Sequence, residues 1–211
     1  MIKSVVYLDF SHLDILDEKK QIYINKIMKV VENKFDGTKV SITSNHNVAE
    51  QLNGVADVNT VIVHNDPELD CSPEGYGCAF PCENLGEVNI NDFNVTDIDD
   101  LTMQVGTVSA HEAGHLILPN GHSVESVNLM SGGKATSEIL FTDNGESLEF
   151  TEIQKSIFND EINVPDDPTL AELEISYIMD PEEGIHFGDD EFPEDPPEED
   201  IDVDDIIDFL L

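Results

Sequence analysis

The sequence predicts an α/β domain built on a largely parallel sheet and followed by an acidic extension. Three observations carry that expectation. Residues 4–10, SVVYLDF, are apolar on both faces of an extended chain, the mark of a strand covered on both sides. A helix-period segment and then two further strand-like runs follow, an order that requires crossovers and hence parallel pairing. Composition then changes at Glu161: of 46 acidic residues, 20 lie from there onward, where there is no lysine. The expected division is therefore a domain over residues 1–160 and an extension over 161–211.

Taken in order, Asp17–Phe35 places Ile24, Ile27, Met28, Val31 and Phe35 at helical spacing, and Asp36-Gly37 stops the helix. Thr38–Thr43 and Asn59–His64 read as strands, with a short helix between them over Asn47–Leu52. Residues 66–93 are irregular and hold all three cysteines, Cys71, Cys78 and Cys82. An odd number permits at most one internal disulfide and leaves one thiol, and three reduced thiols are equally open. Thr96 with Asp99 reads as a capping box for a helix whose buried stripe is Leu101, Val105 and Val108. Thr151 with Gln154 opens a last helix, with Ile153, Ile157 and Phe158 facing inward.

Charge narrows the partners. The formal net charge is −37, and all nine cations are lysines. Such a surface repels nucleic-acid backbone and anionic membrane, so neither is an expected partner. No apolar run is long enough to span a bilayer. The N-terminus, MIKSVVYLDFSH, is broken by Asp9 and is not a signal peptide, which points to the cytoplasm if residue 1 is the native start.

The chemistry-bearing stretch runs from Ser109 to Ser131, SAHEAGHLILPNGHSVESVNLMS. His111, Glu112 and His115 form H-E-x-x-H, which on a helix puts both imidazoles on one face. Neutral imidazoles so spaced can hold one zinc ion, and the carboxylate between them can take a proton from water. Pro119-Asn120-Gly121 ends the helix and turns the chain back, which would bring His122 toward the pair as a third ligand. Three protein ligands and an open fourth position make a catalytic site. Met130 stands eight residues past His122, followed by Ser-Gly-Gly.

This run resembles the metzincin zinc peptidases, and within them the matrixin-like group, whose pattern is H-E-x-x-H-x-x-G-x-x-H, often with Ser next, then a Met-turn. The resemblance implies His111, His115 and His122 as ligands of one Zn2+, Glu112 as general base and Met130 as the Met-turn residue. Leu118 stands at the family's glycine position and the second and third histidines are one residue further apart. Pro119-Asn120-Gly121 is expected to make the same turn one residue later. Over roughly residues 3–160 the resemblance implies a zincin-like domain: a twisted, mixed, mostly parallel sheet with a backing helix, an active-site helix and a C-terminal helix. It also implies peptide or protein substrates held against an edge strand, for which Gly77, Cys78, Ala79 and Phe80 are the candidates, with Glu87–Ile90 beside them. Residues 131–150 would wall the pocket for the side chain after the cleaved bond. The cysteine spacing resembles neither zinc ribbons nor the archaemetzincins. That stretch also reads simply as a Gly/Pro-rich loop with a hairpin.

Other readings stay open at this point. A helical His-Glu-His also occurs on solvated faces, and a buried methionine usually fills core. A gluzincin-like site would replace His122 by Glu138, Glu149 or Glu152. From another class altogether, the charge fits a non-catalytic acidic protein that captures basic partners. Within the extension, Thr169–Met179 has helical spacing, Asp205–Leu211 ends in an apolar anchor, and residues 189–205 cannot bury a core. Phe187-Gly188-Asp189 offers a carboxylate that could cover the metal as an inhibitory ligand.

Overall fold

A computed structural model describes residues 4–69, 76–118, 128–131, 139–140 and 144–159. The expectations for residues 161–211, and for Cys71, His122 and Glu138, lie outside these described residues.

Among the described residues five strands form one sheet: β1 (Ser4–Asp9), β2 (Val40–Thr43), β3 (Asp57–His64), β4 (Gly77–Phe80) and β5 (Leu85–Asn89). Their order is β2-β1-β3-β5-β4. All neighbours are parallel except β4, which runs antiparallel to β5 along the outer edge. The expected mixed, mostly parallel α/β architecture is present. Val5 and Val6 point to opposite faces of β1 and both are buried, so the strand is covered on both sides as its sequence required.

Four helices have their full bounds among the described residues: α1 (Asp17–Lys34), α2 (His46–Leu52), α3 (Ile98–Ile117) and α4 (Glu152–Phe158). α1 and α3 pack on each other, and α3 lies across β3, β4 and β5. Val6, Leu8, Val61, Val63 and Val88 join Ile27 and Val31 of α1 and Val105 and Val108 of α3 in one core. α2 contacts β1, β2 and β3, and the buried Val5 and Ala49 lie outside that cluster. α4 is held by an aromatic triangle: Phe35–Phe150 at 4.8 Å, Phe35–Phe158 at 5.3 Å and Phe150–Phe158 at 4.8 Å between centroids. Each such pair adds about 0.5–1.5 kcal/mol beyond the area it buries.

Several boundaries differ from expectation for local reasons. α3 is capped by Asp97, not Thr96: its carboxylate accepts from Asp99 N at 2.8 Å and Asp100 N at 3.2 Å. A charged acceptor facing the helix dipole serves that end well. β5 begins at Leu85 and stops at Asn89, because the Asn89 side chain accepts from Asn91 N and bends residues 90–92 into a 3-10 turn. α4 has the expected capping box between Thr151 and Gln154. Gln154 and Phe158 are its buried residues, while Ile153 and Ile157 are half-buried. Cys78 is disulfide-bonded and Cys82 is an exposed free thiol. Among the described residues no helix is long and apolar enough to cross a membrane.

Candidate functional site

Helix α3 is the structural centre of the site. From Gln104 to His115 every residue is buried, so this is a helix enclosed on all sides, wider in its packing than the Leu101, Val105, Val108 stripe. Small residues make that possible. A Cβ on Gly106 would lie 2.6 Å from Val30 Cβ of α1, so the two helices cross in close contact there.

His111 and His115 are 1 % and 2 % exposed, and their Nε2 atoms stand 2.9 Å apart. The rings meet edge-on, at 80° and 4.5 Å between centroids. His111 Nδ1 lies 2.5 Å from the Leu129 carbonyl oxygen. A carbonyl only accepts, so Nδ1 carries the proton and Nε2 presents its lone pair toward His115. Two nitrogens bound to one tetrahedral zinc at about 2.0–2.1 Å stand about 3.3 Å apart. The observed pair is within a few tenths of an ångström of that, and its donor chemistry fits the ion.

Glu112, between them in sequence, points to the sheet. Its carboxylate is buried, and neither oxygen has a hydrogen-bond partner among the described residues. Burial alone pushes its pKa well above the usual carboxylate value. Two glycines make room for it. A Cβ on Gly77 of β4 would lie 3.0 Å from Glu112 Oε1, and one on Gly86 of β5 would lie 3.3 Å from Glu112 Cβ. Gly86 was not among the sequence-derived candidates. The available signal was an isolated glycine inside a strand pattern, which marks a close backbone approach.

Residues 128–131 form the turn that supports His111. Asn128 builds it twice over: its side chain accepts from Met130 N at 2.7 Å, and its carbonyl accepts from Ser131 N at 3.0 Å. Leu129 N donates to Glu149 O at 2.8 Å. Met130 is fully buried, and a Cβ on Gly114 would overlap its Sδ. The side chain therefore packs on α3 between the positions of the two histidines.

Among the described residues no third ligand completes a metal cluster. Glu149 Oε1 is 3.3 Å from Lys34 Nζ, and Glu152 is 93 % exposed beside Lys155. Two of the three glutamates weighed for a gluzincin-like site, Glu149 and Glu152, are thus turned elsewhere, and the third, Glu138, lies outside the described residues. Of the candidate substrate strand, Gly77, Cys78 and Ala79 are buried on the edge of the sheet, and Phe80 is 40 % exposed.

No protein-family model matches the sequence, and comparison with curated proteins returns no match. Solved structures do resemble it. A zinc-dependent peptidase from Methanocorpusculum labreanum aligns with a TM-score of 0.48 at 13 % identity, over 74 % of this chain and 100 % of its own. An archaemetzincin from Methanopyrus kandleri gives 0.47 at 14 %, over 75 % of this chain and 94 % of its own. An archaemetzincin from Archaeoglobus fulgidus gives 0.45 at 12 %, over 73 % and 99 %.

Proposed function

We propose that the chain is a zinc-dependent endopeptidase in which His111, His115 and His122 hold one zinc ion and Glu112 is the general base. The observation that carries this reading is the Glu112 carboxylate: buried, without a partner among the described residues, and flanked in sequence by two imidazoles whose Nε2 atoms converge. An orphaned buried carboxylate costs about 1–3 kcal/mol or more, and such a cost is retained where a ligand or reacting group meets it. Zinc, when bound, would polarise the scissile carbonyl and acidify a water.

Glu112 accepts the proton of the attacking water and passes it to the leaving amine. Burial raises its pKa, the direction that makes a carboxylate a stronger base. The Leu129 carbonyl fixes the His111 tautomer so that Nε2 remains a lone-pair donor. Met130 supports the helix at Gly114 as the Met-turn residue. β4 binds the substrate as an added strand through Gly77, Cys78, Ala79 and Phe80, since it lies at the sheet edge. Placement in the matrixin-like group rests on the sequence, through His122-Ser123 and the spacing to Met130.

Metal analysis of purified protein tests the reading, together with hydrolysis of a broad peptide library at low and high salt. About one zinc per chain with peptide cleavage supports it. Protein without zinc and inert toward every peptide favours the acidic binding protein, which the −37 charge supports independently.

A further inference from the structure

Lys34, in the last turn of α1, is 4 % exposed. Its Nζ donates to Leu148 O at 2.6 Å, Glu146 O at 3.0 Å, Gly145 O at 3.2 Å and Glu149 Oε1 at 3.3 Å. A buried ammonium is tolerated only where acceptors surround it. All four acceptors here belong to one five-residue segment.

That segment is awkward backbone. Asn144 and Gly145 both take left-handed angles, with φ of 57° and 74°. From the other side it is gripped by α3: Gln104 Nε2 donates to Asn144 Oδ1 at 3.1 Å, and Asn144 Nδ2 donates to Asp100 Oδ1 at 2.7 Å. Lys34 supplies a charged donor at the centre of the turn, where three carbonyls point inward. From this turn the contacts lead to the candidate site in two steps. Glu149 O accepts from Leu129 N, and Leu129 O accepts from His111 Nδ1.

We propose that Lys34 is a positioning residue for the His111 imidazole, acting through the 145–149 turn and Leu129. The role in metal binding rests on the proposed zinc site; the role in fixing the ring does not. A backbone acceptor orients a ligand imidazole only as well as the acceptor itself is held. Leu129 is held by Glu149, and the carbonyls leading to Glu149 converge on Lys34. Removing the ammonium takes the lysine donor from all three carbonyls, and Gly145 O keeps Leu148 N at 3.1 Å, so the turn relaxes mainly at Glu146 and Leu148 and the Leu129 carbonyl shifts with it.

Lys34→Met keeps the length of the side chain and removes the donor. Val31→Ala, one turn earlier and fully buried, removes core volume without removing a side-chain hydrogen bond. The first readout is the His111 tautomer in zinc-free protein, from nitrogen–proton correlation spectra of the imidazoles. The second is zinc affinity. Lys34→Met is expected to mix the tautomers and to weaken zinc by about 10-fold or more. Val31→Ala, compared at the same distance below its melting temperature, is expected to keep both. An unchanged His111 spectrum in folded Lys34→Met overturns the proposal, and so does an equal change in both variants. If the wild type takes up no zinc while only Lys34→Met disturbs the tautomer, the positioning role stands and the peptidase reading fails. Should Lys34→Met not fold, Lys34→Gln, with a neutral donor on a shorter stem, is read in its place. It is expected to give an intermediate shift, and an unaltered spectrum again overturns the proposal.

Discussion

The Glu112 carboxylate rests against the backbone of Gly77, so close that a Cβ on that glycine would lie 3.0 Å from Oε1 and 2.8 Å from the Glu87 carbonyl oxygen. The second neighbour is backbone on the adjacent strand and cannot swing aside. Gly77→Ala must therefore push the carboxylate or spread β4 from β5. At Gly86 the corresponding distance to Glu112 Cβ is 3.3 Å, which a small adjustment absorbs. Peptide hydrolysis should fall in the order wild type, Gly86→Ala, Gly77→Ala, by about 100-fold for the last if the base moves about 1 Å. Zinc content should stay near wild type in both. The opposite order of kcat/KM would show that Glu112 is not the group these glycines make room for.

Glu112 also sets a sign for pH dependence. Its burial raises the carboxyl pKa above the ordinary 4.5, so between those two values the folded state holds a proton that the unfolded state has released. Stability from this group is thus present at low pH and lost as pH rises through that window. Glu112→Gln, neutral at every pH, should gain in melting temperature over wild type as pH climbs from about 4.5 toward neutrality, in zinc-free protein. Zinc should narrow the gap, because its charge favours the carboxylate. The same variant should lose about 100- to 10,000-fold in hydrolysis while keeping the metal. A melting difference that shrinks with rising pH would refute the assigned sign.

The identity of the third ligand separates two site architectures. His111→Ala and His115→Ala should abolish zinc binding, and His122→Ala should weaken it strongly, whereas Glu138→Ala should leave it intact. Equilibrium competition with a chelator measures each. Full affinity in His122→Ala with loss in Glu138→Ala would move the site to the gluzincin-like arrangement.

Gly114 and Met130 allow a further test. Any side chain at 114 meets the Met130 sulfur and, at 3.1 Å, the Phe150 ring. Gly114→Ala should therefore lower melting temperature by the equivalent of about 1–3 kcal/mol through overpacking. Met130→Leu, a change of similar volume, should cost less than about 1.5 kcal/mol. Thermal or denaturant unfolding checks both, and a neutral Gly114→Ala would mean that the turn yields readily.

What could be read in advance depended on range. The strand SVVYLD and the Thr151–Gln154 box are local patterns, and each appears in the structure nearly as written. The α3 start slipped by one residue because Thr96 and Asp97 are both competent caps, and only the register of the helix against its neighbours chooses between them. Lys34 was illegible: its acceptors lie more than a hundred residues away, and nothing near it in sequence marks a buried cation. The same holds for Gly86 and Gly114, whose small size is demanded by side chains from other elements. The H-E-x-x-H pattern was legible because the helix itself sets the spacing. The setting of His111 was not, because Leu129 reaches it from 18 residues away.

α4 ends at Phe158, and the Asn159 side chain accepts from Lys39 N at 2.8 Å while its carbonyl accepts from Lys39 Nζ. That pair of contacts ties the end of the described fold to the residue just before β2. From Glu161 onward come 20 of the 46 acidic residues with no lysine among them. Like charges at that density repel one another, and ordinary salt screens the repulsion only beyond about 8 Å. Truncation after Asp160 should leave a chain that folds and binds zinc, with a melting temperature that depends less on salt than that of the full chain. Peptidase activity on the two forms then reads a separate question. Higher activity in the shortened chain would support an inhibitory carboxylate such as Asp189, and unchanged activity would leave the extension a solvated appendage. Failure of the truncated chain to fold would show that residues beyond Asp160 complete the core.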